Sequence, residues 1–128
     1  MNLLLDTHIF IWWDSDPAQL SDQARTLCKD ADNTLFLSLA SVWEMQIKHQ
    51  LGKLRFNRPL EELVASQQQA NGLQILPLEL HHIYALAALP PHHKDPFDRL
   101  LIAQARVENL TLVSVDAIFA QYPVTVLG

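Results

Sequence analysis

The chain has 128 residues, 49% of them hydrophobic, and a formal net charge of -5 from 9 basic and 14 acidic side chains. This length suits one domain, so we expect a single domain over residues 1–128. No apolar run reaches the roughly 18 residues that a membrane helix needs, and we expect no signal peptide at the start. The acidic balance argues against nonspecific binding to nucleic acid.

The only cysteine, Cys28, cannot form an internal disulfide. It lies in an amphipathic stretch with Leu20, Ala24 and Leu27, which predicts a small, buried side chain. Proteins without disulfides are typical of reducing compartments. The sequence therefore predicts a cytoplasmic protein.

Short apolar runs alternate with helical patterns along the chain. In chain order we predict a strand at 3–5, a helix at 21–31, a strand at 34–39, helices at 41–51 and 59–71, a strand at 73–76, helices at 80–89 and 97–108, and strands at 110–115 and 124–127. Strands that alternate with helices form parallel βαβ units, and continuous apolar strands are covered on both faces. The sequence predicts an α/β fold, a three-layer sandwich with a five-stranded, mostly parallel sheet flanked by helices.

Four acidic residues fall where these elements begin or end. Asp6 follows the first strand and Asp116 the fourth, whereas Glu44 and Asp98 lie near the beginnings of helices. Ligands of open parallel sheets bind beyond the carboxyl ends of the strands. If the strand order brings the four segments to one edge, their carboxylates meet in one pocket. Two carboxylates about 5 Å apart repel by roughly 3 kcal/mol at an effective dielectric near 20, so such a cluster must bind protons or cations.

Taken singly, the acids also have structural explanations. Ser41 and Glu44 have the S-x-x-E spacing of a capping box, and Glu44 could pair with Lys48 one turn later. Asp95 could be the N-cap of the fifth predicted helix, with Asp98 facing the helix dipole. The acids that follow strands could be turn residues. The four together favour the cation site.

Clustered carboxylates favour Mg²⁺ or Mn²⁺ over Zn²⁺. Two histidine pairs, His81-His82 and His92-His93, are the alternative for zinc, but no cysteine or carboxylate lies at a usual zinc spacing from them. Divalent ions held by carboxylates polarise a phosphodiester and neutralise the charge that develops on the leaving oxygen. The residues therefore indicate metal-dependent phosphodiester chemistry.

Four segments also resemble a known family. In chain order they are LLLDTHIFIWW, SLASVWEMQIKHQLGKL, HHKDPFDRLLIAQA and LVSVDAIFAQY. Together they extend from Leu3 to Tyr122 and resemble the PIN-domain ribonucleases, and more narrowly the VapC-type toxins of prokaryotic toxin-antitoxin pairs. The resemblance implies a five-stranded parallel sheet, metal-dependent endonucleolytic cleavage of RNA, and a cognate antitoxin as partner.

The resemblance also implies which residues act. The four acidic positions of the family fall on Asp6, Glu44, Asp98 and Asp116. We expect the three aspartates to face Mg²⁺ or Mn²⁺, with Glu44 completing the shell directly or through water. Asp95 is interpreted as an N-cap, with contact to metal or water as the lesser alternative. Ser114 stands where the family often has a threonine, two residues before the fourth acid.

Other side chains are expected to support the site. Thr7 and Ser38 could orient carboxylates or water, or could simply be turn and strand-end residues. Arg99 could contact phosphate or pair with a nearby acid. One segment of 11 residues, which could also be a solvated loop, is the best candidate to bind the RNA backbone and contains four of the nine basic side chains: Lys48, Lys53, Arg55 and Arg58.

Trp12 and Trp13 are adjacent. On a helix they point about 100° apart and cannot both face a narrow core stripe, so we expect one of them at an interface. Together with the high apolar fraction this favours a homodimer and, following the resemblance, a groove for the antitoxin.

Two functions of other classes stay open. A response-regulator receiver is also a small doubly wound sheet with an acidic pocket, but it needs a lysine near its last strand, and no lysine follows Lys94. A metal-free interaction module would use the acids only as caps. Binding of Mg²⁺ or Mn²⁺ separates the enzyme from the module, because a ligand of the folded state raises the melting temperature.

Overall fold

Five parallel strands form one sheet in the computed structural model, which describes all residues from 1 to 128. The strands are β1 (Asn2–Leu5), β2 (Thr34–Ser38), β3 (Gln74–Leu76), β4 (Thr111–Val113) and β5 (Val126–Leu127). Their order across the sheet is β3, β2, β1, β4, β5, and every neighbouring pair is parallel. The predicted α/β fold class is confirmed, and all five strands were predicted to within a few residues.

Six helices surround the sheet: α1 (Thr7–Ser15), α2 (Asp22–Lys29), α3 (Leu39–Gln50), α4 (Leu60–Asn71), α5 (Leu80–Ala85) and α6 (Pro96–Val107). The predicted helix at 80–89 is shorter and ends in a 3₁₀ turn. Sequence reasoning missed α1. Its aromatic and β-branched residues are weak helix formers, and no side chain caps its first turn.

The capping box predicted at Ser41 and Glu44 is wrong. Helix α3 begins at Leu39, because Ser38 at the end of β2 accepts a hydrogen bond from the Ala40 amide and is the true N-cap. Ser41 and Glu44 therefore lie inside the helix, where both side chains are buried. This shift of two residues turns Glu44 away from a capping role and towards the edge of the sheet.

Two hydrophobic cores cover the two faces of the sheet. Leu3 and Leu5 of β1 belong to the core beneath α1 to α4, and Leu4 belongs to the core beneath α6. This alternation gives the three predicted layers. Cys28 is buried in the first core as predicted, and burial raises the pKa of its thiol to about 11. None of the helices combines the length and apolar character needed to cross a membrane.

The strand order separates this fold from that of a receiver. Doubly wound receivers have the order 2-1-3-4-5, whereas β1 lies here in the centre, between β2 and β4. The chain moves outward from β1 to β2 and β3, and then returns to the other side of β1 with β4. The crevice beyond the carboxyl ends of β1 and β4 is therefore the place where a ligand is expected.

Trp12 and Trp13 are both half-buried and pack against the first core, and the expected interface at one of them stays a prediction. Trp43 on α3 is instead 57% exposed and meets Phe97 edge to face. The prediction assumed that α1 contacts the core along one narrow stripe. The core beneath α1 is wider and contacts the side chains of both tryptophans.

Candidate functional site

Asp6 lies directly after β1, at the carboxyl edge of the sheet. Its side chain is buried, with the residue only 6% exposed, and its Oδ2 accepts a hydrogen bond of 2.9 Å from the Ser114 hydroxyl after β4. Burial raises the pKa of the Asp6 carboxyl, the Ser114 hydrogen bond opposes this rise, and the nearby Glu44 charge adds to it. The two central strands thus hold a carboxylate where its charge is poorly solvated.

Glu44 reaches the same edge from α3 and is 3% exposed. Its Oε1 accepts a hydrogen bond of 2.7 Å from the Thr7 hydroxyl, which also contacts the Ser41 hydroxyl at 3.0 Å. Its Oε2 accepts a hydrogen bond of 2.6 Å from the Lys48 ammonium. Thr7 therefore orients a carboxylate, as the sequence suggested, and both carboxylate oxygens of Glu44 have donors from the protein.

Asp98 enters the site from the first turn of α6. Asp95 is the N-cap of that helix, as predicted, because its Oδ1 accepts hydrogen bonds from the amides of Phe97 and Asp98. This cap fixes the direction of the first turn, and the Asp98 Oδ2 then lies 2.7 Å from Nε2 of His93. His93, Asp95 and Asp98 each offer a ligand atom within 4.8 Å of the others.

Burial and the neighbouring acids raise the pKa of Asp98. Burial raises the pKa of its carboxyl to about 6, the hydrogen bond from His93 opposes the rise, and the charges of Asp95, Asp6 and Glu44 increase it. Three of the four predicted acids therefore act on one another, and Asp95 joins them. The ionised form of this carboxyl is destabilised by burial and by its neighbours. Binding of a divalent cation that takes oxygen ligands, such as Mg²⁺ or Mn²⁺, would stabilise it.

Asp116 has a hydrogen bond of its own, and the expectation that its carboxylate meets the other three stays a prediction. Its side chain is exposed, and its Oδ1 accepts a hydrogen bond from the Ile118 amide, so that it caps the 3₁₀ turn Ala117–Gln121. Its own amide donates to the Ser114 hydroxyl, which in turn donates to Asp6. Asp116 is thus linked to Asp6 by hydrogen bonds through Ser114. Its carboxylate caps a turn, which was the structural alternative for this residue.

The other predicted residues take varied positions. Ser38 caps α3 and donates a short hydrogen bond to Gln104 Oε1, so it contacts none of the acids. Arg99 does not pair with an acid. Its guanidinium donates to the carbonyls of Leu86, Pro90 and His93 and to the Tyr122 hydroxyl. It therefore ties the loop before α6 to the fold, and these contacts disfavour a role in phosphate binding.

The predicted basic segment divides into two parts. Lys48 points into the acidic cluster, whereas Lys53 and Arg55 are exposed and form no salt bridge. Arg58 lies 3.5 Å from Asp14 at the other side of the loop. Lys53 and Arg55 have no acidic partner, and their contact with a nucleic acid backbone stays a prediction.

His81 and His82 do have a carboxylate neighbour, which sequence spacing did not reveal. Nε2 of His82 lies 2.9 Å from Glu108 Oε1, and Nε2 of His81 lies 3.3 Å from the same atom. However, Nδ1 of His82 accepts the Glu79 amide, so the proton of this ring is on Nε2. This arrangement leaves His82 without a free lone pair for a metal and lowers the pKa of Glu108 through both histidine hydrogen bonds.

Sequence reasoning missed His93 as a neighbour of Asp98. The signal was a histidine five residues before the acid, which appears only once the turn before α6 folds back on the helix.

Replacing Thr7 by valine should weaken both the fold and the site. Valine has nearly the same shape but leaves Glu44 Oε1 buried without its donor, so we expect a loss of about 1–3 kcal/mol in the free energy of unfolding. The carboxylate would also lose its orientation, which typically lowers metal affinity or activity by about 10–100-fold. Urea denaturation and metal titration measure the two effects. Thr34→Val, at an exposed position of β2, is the matched control and should change neither.

Comparison with known proteins agrees with this geometry. The family model of the PIN domain matches residues 3–124. Ribonuclease VapC22 of Mycobacterium tuberculosis (strain ATCC 25618 / H37Rv) is 28% identical over 115 residues, which are 89% of this chain and 86% of that protein. These two matches cover nearly the same region as the four sequence segments.

Solved structures share the fold. A chain of VapBC2 from Rickettsia felis, crystallised with a DNA fragment from its promoter, superposes with a TM-score of 0.72 at 19% identity, covering 99% of this chain and 98% of its own. VapBC-5 from Mycobacterium tuberculosis, a member of the VapBC family of toxin-antitoxin systems, gives 0.60 at 16% identity, covering 98% of this chain and 95% of its own. At such low identity the similarity concerns the fold alone.

Proposed function

The chain belongs to the PIN domain family, and from this premise we propose that it is a metal-dependent endoribonuclease, the toxin of a toxin-antitoxin pair. The observation that carries the proposal is the meeting of Asp6, Glu44 and Asp98, from three different elements, at the carboxyl edge of the central strands. Similarity to a protein named as a ribonuclease supports the activity.

Asp6 and Asp98 are the residues best placed to hold Mg²⁺ or Mn²⁺, with Asp95 and His93 beside them. We expect Glu44 to complete the shell through water, which would leave the hydrogen bonds of both its oxygens in place. When bound, a divalent ion would polarise the phosphodiester and make a water molecule more acidic. The Ile118 amide uses one carboxylate oxygen of Asp116, so the other oxygen could still bind an ion, and the role of Asp116 as a metal ligand stays a prediction.

The residues of the chain orient the groups that react. Ser114 holds Asp6 and His93 holds Asp98 by hydrogen bonds, so the two carboxylates are fixed before substrate arrives. In the hydrolysis, the oxygen of water bonds to phosphorus while the bond from phosphorus to the 3′ oxygen breaks. The proton of the water passes to the leaving oxygen, which gives a 3′-hydroxyl and a 5′-phosphate.

The partners follow from the same premise. Structural neighbours described as toxin-antitoxin complexes support a cognate antitoxin, and a free, buried Cys28 is consistent with action in the cytoplasm. Four of the nine large apolar side chains that are exposed lie on α5 and the end of α6 and support a homodimer: Leu80, Ile83, Tyr84 and Val107. Sedimentation of the purified chain tests the dimer.

Sequencing of RNA ends after brief expression tests the function. The wild-type chain should generate new 5′-phosphate ends at discrete positions in cellular RNA, and Asp6→Asn should generate none, because the variant loses the charge that holds the ion. Ser114 can still hydrogen bond the amide, so the fold should be retained. Identical sets of RNA ends from cells expressing either protein would show that the chain is not a nuclease that uses Asp6.

A further inference from the structure

Lys48 lies inside the acidic cluster, one helical turn after Glu44. Its ammonium is 2.6 Å from Glu44 Oε2, and this is the only salt bridge that a lysine or arginine forms with any acid of the site. A lysine ammonium is charged at neutral pH, so this contact places a positive charge directly against a carboxylate of the site.

Two features of this contact decide what Lys48 does. First, the ammonium lies directly against one oxygen of Glu44, while Thr7 donates to the other. Two-metal sites place their ions about 3.5–4 Å apart and share carboxylates between them. A second ion that used Glu44 would therefore face the repulsion of the ammonium at close range.

The second feature is access. The Glu44 side chain is 5% exposed, whereas that of Lys48 is 34% exposed. The ammonium therefore lies between the acidic cluster and the solvent. A phosphate that approaches Asp98, whose side chain is 17% exposed, meets this positive charge at the rim of the site. Preorganised cations of this kind stabilise the negative charge of a phosphoryl transition state.

We propose that Lys48 replaces a second metal ion: the site binds one divalent ion, and the Lys48 ammonium neutralises the phosphate that is cut. This inference rests on the proposed function and assigns Lys48 to the reacting phosphate, not to the RNA backbone at large. Lys53 and Arg55 lie outside the acidic cluster and have no such contact.

Metal titration and cleavage kinetics test the proposal on the purified full chain. Calorimetric titration of the metal-free wild type with Mn²⁺ should give one ion per chain. In Lys48→Met, which keeps the length of the side chain without its charge, Mn²⁺ should bind at least about 5-fold more tightly or with two ions per chain. Its kcat for RNA should fall by about 100-fold while KM changes by less than about 3-fold.

Two further variants control for structure. Lys48→Arg retains the charge and should restore one ion per chain and most of kcat, whereas Lys29→Met, at an exposed position of α2, should behave as the wild type. A wild-type stoichiometry of two ions overturns the proposal even if Lys48→Met does not fold. Unchanged Mn²⁺ affinity, or a higher KM at unchanged kcat, overturns it as well. The metal measurements need no cleavage, so they stand apart from failure of the proposed function.

Discussion

Asp98→Asn should stop RNA cleavage and, at the same time, make the metal-free protein more stable. Burial and the charges of three neighbouring acids raise the pKa of the Asp98 carboxyl to about 6, so its ionised form is destabilised in the fold. Asparagine removes that charge and keeps the shape. At pH 7.5 we expect a gain of about 1–3 kcal/mol, which for a domain of this size raises the melting temperature by roughly 5 °C.

The cost of the substitution is functional. Without the Asp98 charge the site loses a principal ligand, and we expect cleavage to fall by at least about 100-fold. Melting curves without metal and cleavage rates with Mn²⁺ measure the two effects on the same preparation. Asp32→Asn, at an exposed position, is the control and should leave both unchanged. A lower melting temperature in Asp98→Asn would mean that the aspartate stabilises the fold, for example through its helix end, and is not strained for binding a cation.

Divalent metal should stabilise the protein in a way that depends on pH. The carboxyls of Asp6 and Asp98 have raised pKa values in the fold, so the folded state binds protons more tightly than the unfolded state. This contribution to stability is complete below about pH 4 and is lost as pH rises through about 6. The metal-free protein should therefore lose up to about 3 kcal/mol from Asp98 alone between these limits.

A bound cation reverses this trend, because it binds the ionised carboxylates. Mn²⁺ at 100 times its dissociation constant adds about 2.7 kcal/mol to the free energy of unfolding. We expect this gain at pH 7.5 and little of it at pH 5, where protons compete for Asp98. Melting curves at the two pH values, with and without Mn²⁺, measure it. A melting temperature that does not respond to millimolar Mn²⁺ at pH 7.5 would favour the metal-free interaction module.

The acids of the site show how far sequence reasoning reaches. Asp6 was identifiable because it directly follows a strand, and Glu44 because it lies near the beginning of a helix. The S-x-x-E capping box, which was the structural alternative for Glu44, is not formed. Asp116 satisfied the same rule as Asp6 but caps a 3₁₀ turn. Position after a strand selects candidates, and the local hydrogen bonds of the following turn decide which way each side chain points.

Helix α1 marks the corresponding limit for the fold. It begins only one residue, Asp6, after β1, and local propensity does not favour a helix there. Tertiary packing decides the outcome, because Ile9 and Phe10 are buried in the core only if the chain turns into a helix directly after Asp6. Propensity is a weak preference that burial of two large side chains overrides.

Hydrophobic periodicity and residue order were enough to predict the α/β class, the five strands and the edge of the sheet where the acids would meet. These properties depend on burial along one element and on the geometry of parallel strands, which are local or generic. Only the tertiary structure places Lys48 among the acids, His93 on Asp98 and Glu108 on His82. Such contacts join turns and helix faces whose relative orientation depends on the packing of the whole core. Packing leaves no repeating pattern in the sequence from which these contacts could be predicted.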